Sequence, residues 1–273
     1  MPPLTRLLLA GVAALVLVAG GGGAWWWLSG RGPAEMLPTP PEPPRLSDAP
    51  EYERCLDMLE DDPEGARRFA DSWGMDGGGE SAAHCAALAA LSLGEAERAA
   101  EALERIAARS QAGIAARAAV FGQAGEAWTA AGKPQRAHAA LTLALALVPA
   151  DAQLLTARAV ALLALDRPSE ALDDLDHAVA ADGSNAESWV LRASALRRLD
   201  RVGPAAESVA QALRLEPDNV EALLERGVIR QIQGDASGAR SDWERVIELS
   251  PDGPTADLAA QNMALIEAGP AQR

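Results

Sequence analysis

The side chains best suited to chemistry are few. There are three histidines, His84, His138 and His177, and two cysteines, Cys55 and Cys85. Two thiols without a CxxC motif fit none of the common zinc spacings, and none of the histidines sits in a nucleophile or metal motif. The tightest cluster is "DDLDH" at 173–177. Leu175 is the core-facing residue of that helix by periodicity, which turns Asp173, Asp174 and His177 toward solvent. No glycine-rich loop follows a strand, because no convincing strand is present, and no nucleophile-and-base pair has supporting spacing. The expectation is therefore of a protein that is not an enzyme, with no catalytic residues, no cofactor and no metal. Two readings of Cys55 and Cys85 stand side by side. One is a single disulfide made in an oxidising compartment; the other is a pair of unrelated buried thiols.

The elements that would position any site are set by a repeat. Laying 118–151, 152–185, 186–219 and 220–253 under one another requires no insertion or deletion over a period of 34 residues. The fourth place holds Phe121, Leu155, Trp189 and Leu223; the eighth, Gly125, Ala159, Ala193 and Gly227. The twentieth is always alanine, Ala137, Ala171, Ala205 and Ala239, and the twenty-fourth holds Leu141, Leu175, Val209 and Trp243. The twenty-seventh holds Ala144, Ala178, Ala212 and Val246; the thirty-second, Pro149, Gly183, Pro217 and Pro251. A fixed period of this length marks a solenoid. Each unit reads as two helices broken at Gly132, Asp166, Asp200 or Gly234, with small residues where the paired helices cross and large ones filling the space that remains. Residues 80–113 are a degenerate copy, with Ala87, Gly94, Ala99, Leu103 and Ile106 in register. Four extra residues, 114–117, separate it from the strict units. Residues 51–79 read as an irregular helical hairpin, with Tyr52, Leu56 and Leu59 on one stripe and Phe69 and Trp73 on another. The segment 254–268 reads as a terminal capping helix with Leu258, Met263 and Ile266 on one flank.

This pattern resembles the tetratricopeptide repeat (TPR) family in length, small places, large places and terminal proline over four consecutive units. The resemblance implies an all-α fold, a TPR-like α-solenoid of helical hairpins wound as a right-handed superhelix, with a concave groove lined by the first helices. Carrying the family's groove positions over residue by residue gives Gln153, Thr156, Val160 and Leu163, then Glu187, Val190, Ser194, Arg197 and Arg198, then Glu221, Leu224, Val228, Gln231 and Ile232. Arg197 and Arg198 form a local positive pair suited to a peptide carboxylate; the alternative is two solvated arginines on an exposed face. The lysine and asparagine pattern of the family's carboxylate clamp is missing, so that activity is not carried over. Arg158, Arg192 and Arg226 recur at the seventh place, either as a functional ladder or, in the structural reading, paired with acids on neighbouring helices or with their stems laid over apolar surface. Cys55 and Cys85 fall on the leading helices of adjacent units, where a bridge would staple the irregular end.

Composition narrows the partners. The 24 basic and 39 acidic side chains leave a net charge of -15 with no basic stripe, which argues against nucleic acid. After a short leader at 1–6, residues 7–28 run 22 positions without a charge, roughly 33 Å as a helix, and end in Trp25, Trp26 and Trp27. They read as an N-terminal transmembrane helix and signal anchor, with a cleavable signal peptide as the alternative. Residues 29–50 hold seven prolines and read as an extended spacer. The expectation is a single-pass protein of a bacterial inner membrane with its repeats in the periplasm, acting as a scaffold that holds a protein or peptide segment in the groove during envelope assembly or maturation. The alternatives are a self-associating structural homo-oligomer, or an accessory subunit of an enzyme complex such as cytochrome maturation.

Overall fold

Place 15 of every repeat turns the backbone left-handed. Gly132, Asp166, Asp200 and Gly234 have φ of 67, 56, 57 and 86°, and Gly94 in the degenerate copy has 80°. Each follows a helix end, and the next two amides bond back onto that helix. Gly132 N–H donates to the Thr129 carbonyl and Lys133 N–H to that of Trp128; Asp166 and Arg167 do the same with Leu163 and Leu162. This double closure satisfies carbonyls that the helix leaves over, and it reverses the chain in two residues. Asparagine or aspartate at place 34 then opens the following unit. Asp151, Asn185 and Asn219 accept from the amides of Leu154, Ser188 and Ala222 at 3.0, 3.2 and 2.8 Å.

The structure, a computed structural model, describes residues 46–268. Helices α1 (Pro50–Asp61), α2 (Pro63–Trp73), α3 (Gly79–Ser92), α4 (Ala96–Arg109), α5 (Ile114–Ala130), α6 (Pro134–Leu147), α7 (Ala152–Ala164), α8 (Pro168–Ala181), α9 (Ala186–Arg198), α10 (Val202–Leu215), α11 (Val220–Ile232), α12 (Ala236–Leu249) and α13 (Pro254–Ala268) succeed one another, with no strand among the described residues. Each helix packs on its successor, and from α5 onward each first helix also touches the next first helix, α5 on α7, α7 on α9, α9 on α11 and α11 on α13. The fold is an α-solenoid. Residues 114–117, which break the register in sequence, add a first turn to α5. A single π-helical turn, Gly74–Gly78, joins α2 to α3, with Gly77 at φ 97°.

Large and small places are matched within each hairpin. A Cβ on Gly125 would lie 2.4 Å from Leu141 Cγ, and one on Gly227 would lie 2.2 Å from the indole nitrogen of Trp243. Glycine therefore stands at place 8 where the place-24 side chain lies hard against the backbone; Ala159 and Ala193 suffice opposite Leu175 and Val209. Trp243 is 2% exposed, and its Nε1–H donates to the Leu224 carbonyl at 3.2 Å.

The seventh-place arginines meet place 23 of their own hairpin. Arg158 grips Asp174 through two bonds of 2.8 and 2.7 Å, and Arg226 grips Asp242 at 3.0 and 2.6 Å. Asp242 also accepts from Arg230 at 2.7 Å. In the third unit place 23 is Ser208, and Arg192 bonds both its hydroxyl and Asp176, each at 2.6 Å. Asp174 thus faces inward and is 6% exposed, contrary to its expected outward position. One residue before Leu175, it is turned by about 100° from the core direction and lands on the hairpin seam, not the outer face. His177 is exposed, as its periodicity predicts. Replacing Asp242 with alanine would leave two guanidinium groups facing a buried gap. Breaking a fully buried pair costs about 3–5 kcal/mol, and the one-third exposure of both arginines reduces the expected loss to about 2 kcal/mol, read as a lowered urea midpoint.

At the N-terminal end Cys55 of α1 and Cys85 of α3 are joined by a disulfide with Cα atoms 6.2 Å apart, packed with Ala70, Leu59 and Phe69. Beside it, His84 is 3% exposed and bridges three helices. Its Nδ1 lies 2.7 Å from the Tyr52 hydroxyl, and its Nε2 lies 2.6 Å from Gln123 Oε1. The amide oxygen can only accept, so Nε2 carries the proton and Nδ1 accepts from tyrosine. Burial lowers the His84 pKa from 6.5, against the opposing pull of Gln123 and of the nearby Glu80 carboxylate. The unfolded chain therefore takes up a proton that the folded one resists. The stability this imidazole contributes is present above about pH 6.5 and is lost as the pH falls through its folded value. Between pH 7 and pH 5 the wild-type chain is expected to lose more thermal stability than His84→Gln, as measured by melting across that range.

Two further expectations are corrected. The first is a single-pass location in a bacterial inner membrane with the repeats in the periplasm. Among the described residues no helix is long and apolar enough to cross a membrane. The longest, α5, has 17 residues; that is about 25 Å, short of a hydrocarbon core of about 30 Å, and Arg117 and Glu126 interrupt it. The leader 1–6, the stretch 7–28 and the spacer up to residue 45 lie outside the described residues. The second correction concerns α13. Ala256, Ala259, Met263 and Ile266 form the stripe that covers the last hairpin, whereas Leu258 is 50% exposed and Leu265 is 71% exposed. Leu258 is one residue off the stripe, so it turns toward solvent.

Candidate functional site

The first helices α5, α7 and α9 present successive faces to a common cleft of about 590 Å³. It is lined by Glu126, Thr129 and Ala130 from α5, by Gln153, Thr156, Ala157 and Val160 from α7, and by Asn185 and Glu187 at the start of α9. Between α5 and α7 the approach is close at Gly122, where an added Cβ would lie 2.6 Å from Leu154 Cδ2.

The groove residues carried over from the family pattern do not all open onto this cleft. Thr156 and Val160 line it, with Gln153 and Glu187. Thr156 is 4% exposed; its hydroxyl donates to the Ala152 carbonyl and lies 2.8 Å from that of Ser188, tying the floor of α7 to α9. Leu163 is buried in the core. Val190 packs on the central apolar cluster and Ser194 is half-buried beside it; Leu224 and Val228 pack on the last cluster. Gln231 is exposed.

Arg197 and Arg198 do not present a free fork. Arg197 is paired with Glu225 through bonds of 2.6 and 3.2 Å, and Arg198 donates to the Leu163 carbonyl at 2.7 Å. Arg197 joins α9 to α11 and Arg198 joins α9 to α7, first helices of adjacent units. A peptide carboxylate would have to displace the Arg197–Glu225 pair, whereas Arg198 is exposed and keeps further N–H groups.

The residues missed in sequence are Glu126, Thr129, Ala130, Ala157 and Asn185. The signal was available: Glu126 and Thr129 occupy places 9 and 12 of the first unit, the places of Val160 and Leu163 in the second. Glu126 reaches solvent, yet the cleft walls crowd it. That crowding first, and repulsion from the Glu187 carboxylate second, raise its pKa above 4.5. Neither Glu126 nor Glu187 takes part in an ion pair among the described residues.

Residues 125–186 and 190–254 match the tetratricopeptide repeat family model. The chain carries tetratricopeptide repeats. Solved structures agree at the level of fold. The pilF protein of Pseudomonas aeruginosa is 16% identical over 78% of this chain and 96% of its own, with a TM-score of 0.63. The APC/C hetero-tetramer Cut9-Hcn1 is 19% identical over 77% of this chain and 42% of the matched chain, also at 0.63. YrrB, described as a TPR protein with an unusual peptide-binding site, is 18% identical over 78% of this chain and 98% of its own, with a TM-score of 0.51. No curated protein sequence matches the chain. The cleft lies on α5, α7 and α9, the first helices of three successive helical hairpins.

Proposed function

We propose that the protein is an interaction scaffold whose tetratricopeptide groove holds a segment of a partner protein against α5, α7 and α9. The observation that carries this reading is the cleft itself. At about 590 Å³ it lies within the range of about 300–1,000 Å³ typical of built binding sites. Its lining mixes apolar Ala130, Ala157 and Val160 with amides and carboxylates able to orient a main chain. The peptide-binding site named for YrrB, which shares the fold, is consistent with it. In this reading Thr156 and Val160 contact the segment from the cleft lining, whereas Leu163, Val190, Leu224 and Val228 pack into the apolar clusters and Arg197 and Arg198 join neighbouring first helices.

A photo-crosslinking amino acid at Gln153 tests this in the full chain. It is expected to link to one segment of another protein, whereas the same group at Asp173 on α8 is not. Only self-links, or equal yields from both positions, would overturn the scaffold reading in favour of self-association. Filling the cleft by Val160→Trp is expected to weaken partner binding at least tenfold, equivalent to about 1.4 kcal/mol, with an unchanged melting temperature.

A further inference from the structure

The geometry points to a lysine or arginine side chain of an extended partner segment as the occupant of the α5–α7–α9 cleft, seated between Glu126 and Glu187. This rests on the groove reading and narrows it to a partner chemistry.

The buried carboxylates among the described residues are each matched by arginine, whereas Glu126 and Glu187 face the cleft without an ion pair. Asp174 is held by Arg158, Glu225 by Arg197, and Asp242 by Arg226 and Arg230. Glu126 and Glu187 line the same cleft from different helices, α5 and α9, and repel one another. A single cation placed between them turns that repulsion into two attractions, in a cleft whose walls screen less than open water does. An incoming carboxylate or phosphate would meet the opposite.

The remaining lining suits the rest of such a side chain. Ala130, Ala157 and Val160 offer apolar surface for a lysine or arginine stem while its charged head reaches the carboxylates. The Asn185 side-chain oxygen is occupied in capping α9 at the Ser188 amide, which leaves its N–H groups to donate to a main-chain carbonyl. Gln153 can both donate and accept. The cleft volume fits one long side chain and a few flanking residues, not a folded domain.

The test uses a random nonapeptide library displayed on phage and selected on the full chain. The comparison is with Glu126→Gln/Glu187→Gln and with Glu207→Gln/Glu244→Gln, which removes equal charge from exposed sites on α10 and α12. The expected result is that selected peptides share a lysine or arginine at one position. A synthetic binder should lose at least tenfold in affinity toward the first variant and at most twofold toward the second. Substituting its basic residue with norleucine should reproduce the tenfold loss. Binders that Val160→Trp excludes but that carry no shared basic residue, or that bind the first variant as well as wild type, would overturn the cation assignment and leave the groove reading standing. A library that yields nothing sensitive to Val160→Trp would overturn both.

Discussion

Trp128→Ala is expected to destabilise the array by about 4 kcal/mol, the cost of truncating a fully buried indole. Trp128 has 0% exposure near the end of α5, where the degenerate unit meets the first strict one. Its Nε1–H donates to Glu104 on α4 at 2.8 Å, and Arg136 of α6 lies over its ring, 4.2 Å from the centroid. One side chain thus ties three helices together, and its loss opens a cavity at the junction between the irregular and regular parts. Trp128→Phe keeps most of the packing and removes the indole donor, so its expected cost is smaller, about 1–2 kcal/mol. Urea denaturation of both variants measures the difference. A loss below about 1 kcal/mol for Trp128→Ala would show that the junction is held by other contacts.

Replacing both cysteines, Cys55→Ala/Cys85→Ala, is expected to cost about 3 kcal/mol, because the bridge closes a loop of 30 residues. The loss should be local. Repeat arrays are stabilised by neighbour contacts, so an uncoupled terminal hairpin frays without melting the far end. Amide exchange is the suitable readout. Protection should fall in α1, α2 and the start of α3 and remain unchanged in α11 and α12. Uniform loss along the chain would instead mean that the N-terminal hairpin nucleates the whole array. The same end holds the Tyr52–His84–Gln123 bridge, so mild acid and reduction weaken one region by independent routes.

What could be read in sequence, and what could not, separates cleanly by distance along the chain. The glycines and aspartates at place 15, the proline stops and the small-against-large pairs were legible because each acts over a few residues or within one repeated hairpin. A left-handed turn at Gly132 or Asp200 needs nothing beyond its own helix end. The orientation of charges was not legible in the same way. Arg197 meets Glu225 at a separation of 28 residues, and Arg198 meets the Leu163 carbonyl at 35. Whether a guanidinium awaits a partner or already joins two repeats depends on how neighbouring hairpins stack. Asp174 likewise turned inward because Arg158 waits on the seam, a contact that the hydrophobic period does not encode.

The cleft shows the same division. Its wall positions recur at fixed places of the repeat, so Glu126 could have been found by extending the second unit's pattern to the first. That it shares a cavity with Glu187, two hairpin helices away, follows only from the stacking of α5, α7 and α9. The sequence by itself determined an all-α repeat, the positions of its left-handed turns and the sizes of its crossing residues, because backbone turns and steric fit are local. Only the tertiary structure decided which charges are satisfied and which face an open groove. Electrostatic pairing is a matter of distance in space, and here that distance is set between repeats.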